Sequence, residues 1–290
     1  MFPEIIDTRP WRRAIDDSLN WVVRNWGDEF EAAAYPLLML LNFIEDVLIA
    51  TPWWLIMAIL VGIAWLATRR WQLPVIVLVS LLFLGVMELW EDAMTTMALM
   101  IAATITAIVF SIPLGVWMSR SERVRQVVTP LLDLMQTMPS FVYLIPTVMI
   151  FGPGKIPALI ATIVYAAPPL VRLTDLGLRS VDPAVMEASR AFGTTPSQRL
   201  FGVQIPLSLP TILAGVNQTT MMALAMVVIA SMIGAGGLGY QVLQGIGRLE
   251  VSRGLFAGLG IVVLAIVFDR ITQSFGKQLQ AKIGLAETRS

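Results

Sequence analysis

The chain has 290 residues, 57% hydrophobic and 14% charged, with a mean hydropathy of +0.76, which describes an all-α polytopic membrane protein. Twenty basic residues balance twenty acidic ones, so nothing in the charge points to nucleic acid as a partner. With no Cys and no His there is no disulfide, no thiolate or imidazole metal site, and no histidine base, so neither a metal site nor a catalytic residue is expected.

The first 52 residues form an N-terminal amphipathic segment. Up to residue 50 it carries nine acidic residues against four Arg, too acidic and interrupted for a cleaved signal peptide. Trp11, Ile15, Leu19, Val22 and Trp26 fall on one helical face, and Leu37, Leu41, Ile44 and Leu48 mark a second amphipathic stretch between Phe30 and Leu48. Such helices scaffold a membrane domain, lying on the bilayer surface or against neighbouring spans, and Ala32–Ile49 either stays there or inserts more deeply.

Residues 53–275 read as the membrane domain, with about seven spans. Trp53–Thr68 is short, with a tryptophan pair at one end and Arg69–Arg70 at the other. Leu73–Trp90 returns, and Met94–Met118 crosses again into Arg120, Arg123 and Arg125. Seven prolines between Pro130 and Pro169 then predict kinked or broken spans around Phe141–Phe151 and Ile156–Val171. Ile212–Ile233 and Leu255–Val267 complete the set, and residues 276–290 form a C-terminal tail. Alternating the spans with Arg69–Arg70 inside puts 13 cationic residues inside, against Lys155, Arg248 and Arg253 outside. The positive-inside rule therefore places the N-terminus outside and the C-terminus in the cytoplasm. Without an internal repeat, a chain of this size builds a pathway most naturally as a homodimer.

Between two spans lies a polar cytoplasmic loop, residues 180–210. Asp182 and Pro183 start a helix that runs to Phe192, and Gly193 stops it. Thr195, Pro196 and Gln198 start another with the spacing of a capping box. The expected product is a rigid knob of two short helices.

Asn217, Gln218 and Thr219, followed by Met221, stand in an otherwise apolar span. Amides in hydrocarbon need partners, so these residues either bond a neighbouring helix or line a wet translocation path. Gly234, Gly236 and Gly239 satisfy a dinucleotide-binding spacing, but a span precedes them where that motif needs a strand. With Gly237 they make a sharp outer turn, a candidate docking loop. No Walker motif occurs, so the chain is not expected to be an enzyme, and any ATP driving it is hydrolysed elsewhere.

Glu187, Ala188, Ser189 and Gly193, then, after nine intervening residues, Val203, Ile205 and Pro206, resemble the EAA loop of ABC importer permeases, with three mild substitutions. The stretches PPLVRLTDLGLRSVDPAVMEASRAFG, VNQTTMMALAMVVIASMIGAGGLG and QGIGRLEV resemble permease subunits of glycine betaine/proline betaine importers, from about Arg120 to Thr272. The resemblance implies a type I ABC importer permease fold in a bacterial inner membrane. Its implied partners are a second permease copy, two ATPase subunits holding ATP and Mg, and a periplasmic or lipid-anchored binding protein with an aromatic cage for the quaternary amine. Choline, carnitine, trimethylamine oxide or an amino acid such as histidine are alternative cargoes. An ion-coupled carrier is the remote alternative, weakened by the near absence of carboxylates deep in the spans.

Overall fold

A computed structural model describes residues 9–287; residues 1–8 of the N-terminal segment and 288–290 of the C-terminal tail lie outside the described residues. Among the described residues every regular element is helical.

Helix α1 (Arg9–Ala50) is one continuous 42-residue helix where the sequence suggests two pieces. The run from Asp28 to Ala34 is rich in Glu and Ala, strong helix formers that bridge the two apolar stripes, and Pro36 sits inside without ending the helix. At 1.5 Å per residue α1 is about 63 Å long, roughly twice the hydrocarbon thickness of a bilayer. It packs against α4, α6 and α7, burying Ala34 and Leu41.

Helices α2 (Trp53–Thr68) and α3 (Gln72–Val86) form a hairpin turned at Arg69, which adopts left-handed φ 51°. They have 16 and 15 residues, about 24 and 22 Å, short of the roughly 30 Å hydrocarbon core. The segment expected to end at Trp90 stops at Val86, because Glu88 turns the chain with φ 58° and Trp90 already belongs to the next helix.

The core is built from α4 (Trp90–Arg120), α7 (Lys155–Arg179) and α10 (Ile205–Ala230), which make the most extensive mutual contacts. Small residues set their separation. A Cβ on Gly115 of α4 would lie 2.6 Å from Thr174 Cβ of α7, and one on Gly215 of α10 would lie 3.0 Å from Leu170 Cδ1. Pro168 and Pro169 remove two donors from the middle of α7, and hydroxyls from both neighbours reach the loosened turn. Thr219 Oγ1 donates to Ala166 O at 2.9 Å and Ser111 Oγ to Ala167 O at 3.3 Å.

Helices α5 (Glu122–Thr137) and α6 (Ser140–Phe151) meet at a 100° bend. Met138 is extended there (ψ 135°), the conformation favoured before a proline. The knob holds α8 (Pro183–Ala191) and α9 (Pro196–Arg199). At the opposite end α11 (Leu238–Arg248) turns into α12 (Val251–Glu287), which continues helically through most of the segment expected as a tail.

Among the described residues five helices are long and apolar enough to cross a membrane, or six if the bent α5–α6 pair is one span. The sequence suggests about seven. The difference lies in the short α2–α3 hairpin and in α1, which itself has the length and hydropathy of a span.

Contacts sort the loops into two ends. At one, Arg120 Nη2 donates to Pro196 O (3.2 Å) and Gln278 Nε2 to Leu66 O (3.1 Å), gathering the 69–70 turn, the α4–α5 corner, the knob and the end of α12. At the other, Lys155 Nζ meets Glu45 Oε2 at 2.6 Å, and Gln241 Nε2 donates to Asp92 Oδ2 at 2.6 Å.

Candidate coupling site

The knob is assembled by local capping. Asp182 Oδ1 accepts from Ala184 N at 2.8 Å and starts α8. The helix ends at Ala191 with Phe192 as its cap, one residue earlier than the sequence suggests. Gly193 then takes φ +75° and donates its N–H to Arg190 O (2.9 Å), and Thr194 closes back on Ser189 O through both N–H and hydroxyl. The Thr195 capping box is complete: Gln198 N donates to Thr195 Oγ1 (3.3 Å), and Thr195 N to Gln198 Oε1 (2.9 Å).

The second knob helix is not separate from the span. α9 is a single turn that runs through a π-helical turn, Leu200–Gln204, directly into α10. Pro206 explains the wide turn. It has no N–H, and its ring would press on the carbonyl of Gly202 in an α ladder, so the helix opens and Ile205 N reaches five residues back to Leu200 O. Force applied to α9 therefore travels into α10 along one helix.

The EAA-like residues fall on both limbs of this structure. Glu187, Ala188 and Gly193 are exposed, Ser189 is buried with its hydroxyl on Met186 O, Val203 lies within the π turn, and Ile205 and Pro206 open α10. Val185, Phe192 and Phe201 are exposed apolar side chains of the same projection, Phe192 at 87%.

Sequence reading missed the root of the knob. Asp175, in the last turns of α7, has a side chain only 8% exposed and accepts from Arg179 Nε at 2.7 Å, with Arg125 Nε at 3.3 Å. Arg179 also reaches Met118 O (2.7 Å) and Glu122 Oε2 (3.2 Å). This cluster ties the helix that enters the knob to the α4–α5 corner. The i, i+4 spacing of Asp175 and Arg179 was the available signal; the Arg125 and Met118 contacts are tertiary and left none.

The polar residues of α10 have different surroundings. Asn217 Nδ2 donates to Asp269 Oδ1 (3.3 Å), its Oδ1 accepts from Thr272 Oγ1, and Gln273 Nε2 completes the group on Asp269 at 2.7 Å. Thr219 is fully buried on Ala166 O. Gln218 is exposed and Met221 half-buried, one turn apart on the face carrying Ala214 and Ala225. Of the outer glycines, Gly237 and Gly239 are buried in tight contacts: a Cβ would lie 2.5 Å from Thr96 Oγ1 and 2.6 Å from Val228 O, respectively. Gly236 is half-buried, and Gly234 (φ +100°) is exposed beside Gly154. A cavity of about 850 Å³ lies away from Asn217, at the Glu45–Lys155 end, between Trp53, Glu88, Trp90 and Asp92. Among the described residues no group of His, Asp or Glu is arranged to hold a metal.

A helical membrane core whose central span emerges as a rigid, solvent-facing projection is the architecture of a transport permease. The chain belongs to the family of binding-protein-dependent transport system inner membrane components, whose profile matches residues 107–281. It is 45% identical over 268 residues to the glycine betaine/proline betaine transport system permease protein of Escherichia coli (strain K12), covering 92% of this chain and 75% of that relative. It is 42% identical over 265 residues to the glycine betaine transport system permease protein of Bacillus subtilis (strain 168), covering 91% and 94%. A glycine betaine/carnitine transport permease of Listeria monocytogenes is 43% identical over 233 residues, covering 80% and 83%. Among solved structures, an inward-facing form of the MetNI methionine ABC transporter superposes with a TM-score of 0.61 at 20% identity, covering 66% of this chain and 95% of that one. The type I importer permease fold is thus the fold of this chain.

Proposed function

We propose that this chain is the permease of an ATP-driven importer that moves glycine betaine, proline betaine or a closely related quaternary amine inward by alternating access. The observation that carries the proposal is the exposed knob bearing Glu187, Ala188 and Gly193, continuous through α9 with the central span α10. Relatives at 42–45% identity, named as glycine betaine permeases, supply the cargo class. Permeases named for choline, carnitine or trimethylamine N-oxide without glycine betaine match at lower identity, 30–36%, and over less of the chain.

In this reading two copies of the chain enclose the path, and two separate ATPase subunits, holding ATP and Mg, grip the knobs. A substrate-binding protein docks at the end carrying α11 and the Gly234 turn. The knob end, with Arg69, Arg70, Arg120, Arg123, Arg125, Arg179, Arg190 and Arg199, faces the cytoplasm, which puts the C-terminus inside; with α1 lying on the outer surface and not crossing, the N-terminus is outside. Closure of the ATPases moves α8 and α9, and α10 follows because no flexible link separates them. Coupling requires that the ATPases contact the knob differently in the two states, since equal affinity shifts nothing. Gln218 and Met221 are the path-facing candidates; Asn217 and Thr219 hold α10 to α12 and α7.

The test is co-purification followed by uptake in proteoliposomes. An ATPase chain should accompany this one, and glycine betaine uptake should need ATP inside and binding protein outside. Uptake driven by an ion gradient without nucleotide would replace this reading with secondary transport.

A further inference from the structure

At the knob end a cleft of about 350 Å³ opens between the last turn of α4, α8 and α9, lined by Arg120, Met186, Arg190, Pro196, Arg199 and Gln204. Three arginines line it, and no carboxylate stands in its wall. Three arginines nearby are paired: Arg125, Arg172 and Arg179 each meet Asp175, Asp133 or Glu122. Among the described residues Arg120, Arg190 and Arg199 have no carboxylate partner, and Arg120 spends one donor on Pro196 O at 3.2 Å. Three like charges facing one recess repel one another until an anion enters.

The geometry favours one kind of anion. Guanidinium groups offer planar forks of donors that match the oxygens of phosphate, and three of them from different elements surround a tetrahedral group better than a flat one. The cleft also sits beside a bilayer-facing landmark. Trp117, 60% exposed, precedes Arg120 by one turn. Large exposed aromatics next to cations mark the membrane interface, and basic clefts at that depth take phosphate headgroups.

We propose that the Arg120–Arg190–Arg199 cleft binds a phosphate group, carried by an anionic phospholipid or present as the free anion. Occupancy bridges α4, α8 and α9, pinning the knob to the end of a core helix. The cleft lies on the knob that the transport reading assigns to the ATPase subunits, and its test measures binding without uptake.

The full chain is purified in detergent, offered equimolar phosphatidylglycerol and phosphatidylcholine, and the retained lipids are counted by native mass spectrometry. Inorganic phosphate is titrated in parallel by calorimetry in chloride buffer. The wild type should bind one of the two anionic probes selectively, and Arg190→Gln/Arg199→Gln should bind it at least about tenfold more weakly. Arg190→Lys/Arg199→Lys, which keeps the charge but loses the forks, should fall between them, and matched melting temperatures show that all three are folded. Displacement of phosphatidylglycerol by inorganic phosphate identifies the free anion as the ligand; retention despite it identifies the headgroup. Three results overturn the proposal: neither probe binds the wild type, selectivity survives in the glutamine variant, or the transporter assembled with its ATPase chains excludes both probes.

Discussion

Asn217 makes its amide useful by bonding Asp269 and Thr272 of α12, which places a polar triad inside an apolar helix pair. Replacing it with Leu removes both bonds and leaves Asp269 with Gln273 and Thr272 with Phe268 O, at a cost of about 1–2 kcal/mol. Asn217→Leu should therefore lower the melting temperature of the purified chain in step with any loss of uptake. Reduced uptake at an unchanged melting temperature would instead put this side chain in the path. Gly193 poses a different constraint, since nothing lies within 4 Å of a Cβ built there and only φ +75° restricts it. A β-branched side chain in that conformation costs about 1–2 kcal/mol, whereas Asn tolerates it. Gly193→Val should raise the ATP hydrolysed per substrate imported, and Gly193→Asn should leave the ratio near wild type. Equal behaviour of the two would show that the turn geometry is not what transmits force. These residues also show where sequence was sufficient. Asp182, Gly193, Thr195 and Gln198 act through neighbours at most five positions away, so their caps could be read directly. Asn217 needed the structure because its partners lie 52 and 55 residues further on.

Helices divide in the same way. The long apolar α4, α7, α10 and α12 announce themselves by composition. The junctions do not: continuity of α1 across Gly27, the 100° corner between α5 and α6, and the fusion of α9 with α10 all depend on how a local irregularity is absorbed. The entrance to the knob depends on a buried carboxylate held between two arginines on different helices. Arg125 and Arg179 keep partial solvent contact, so the loss in Asp175→Asn is about 1–3 kcal/mol, below that for a fully buried pair. In that variant, hydrogen exchange should quicken across 183–193 while α4 and α10 keep their protection. Faster exchange throughout the bundle would mean that the cluster stabilises the core and does not specifically root the knob.

Across the whole molecule, charge separates by end. The arginine-rich end carries the knob, and the opposite end carries Glu45, paired with Lys155, and Glu88, Glu91 and Asp92 around the 850 Å³ cavity. Because the chain has no native Cys, single cysteines report cleanly on the two ends. Ser197→Cys and Gly247→Cys both occupy exposed positions, and a Cβ at residue 247 meets nothing within 4 Å. An impermeant maleimide applied to intact cells should label Gly247→Cys and spare Ser197→Cys. The reverse pattern would invert the topology and remove the knob from the compartment that holds ATP.

The π turn at Leu200–Gln204 also bears on how chain length in this region can change. A wide turn of this kind amounts to one surplus residue threaded into an ordinary helix, each residue being worth 100° of rotation. Losing Gly202 together with the proline constraint at 206 would restore the regular ladder and leave Glu187 and Gln218 pointing as they do now. Elsewhere in α10 the same one-residue deletion would spin every following side chain by more than a quarter of a circle. Drift in the number of residues between knob and span should thus be absorbed at this one place.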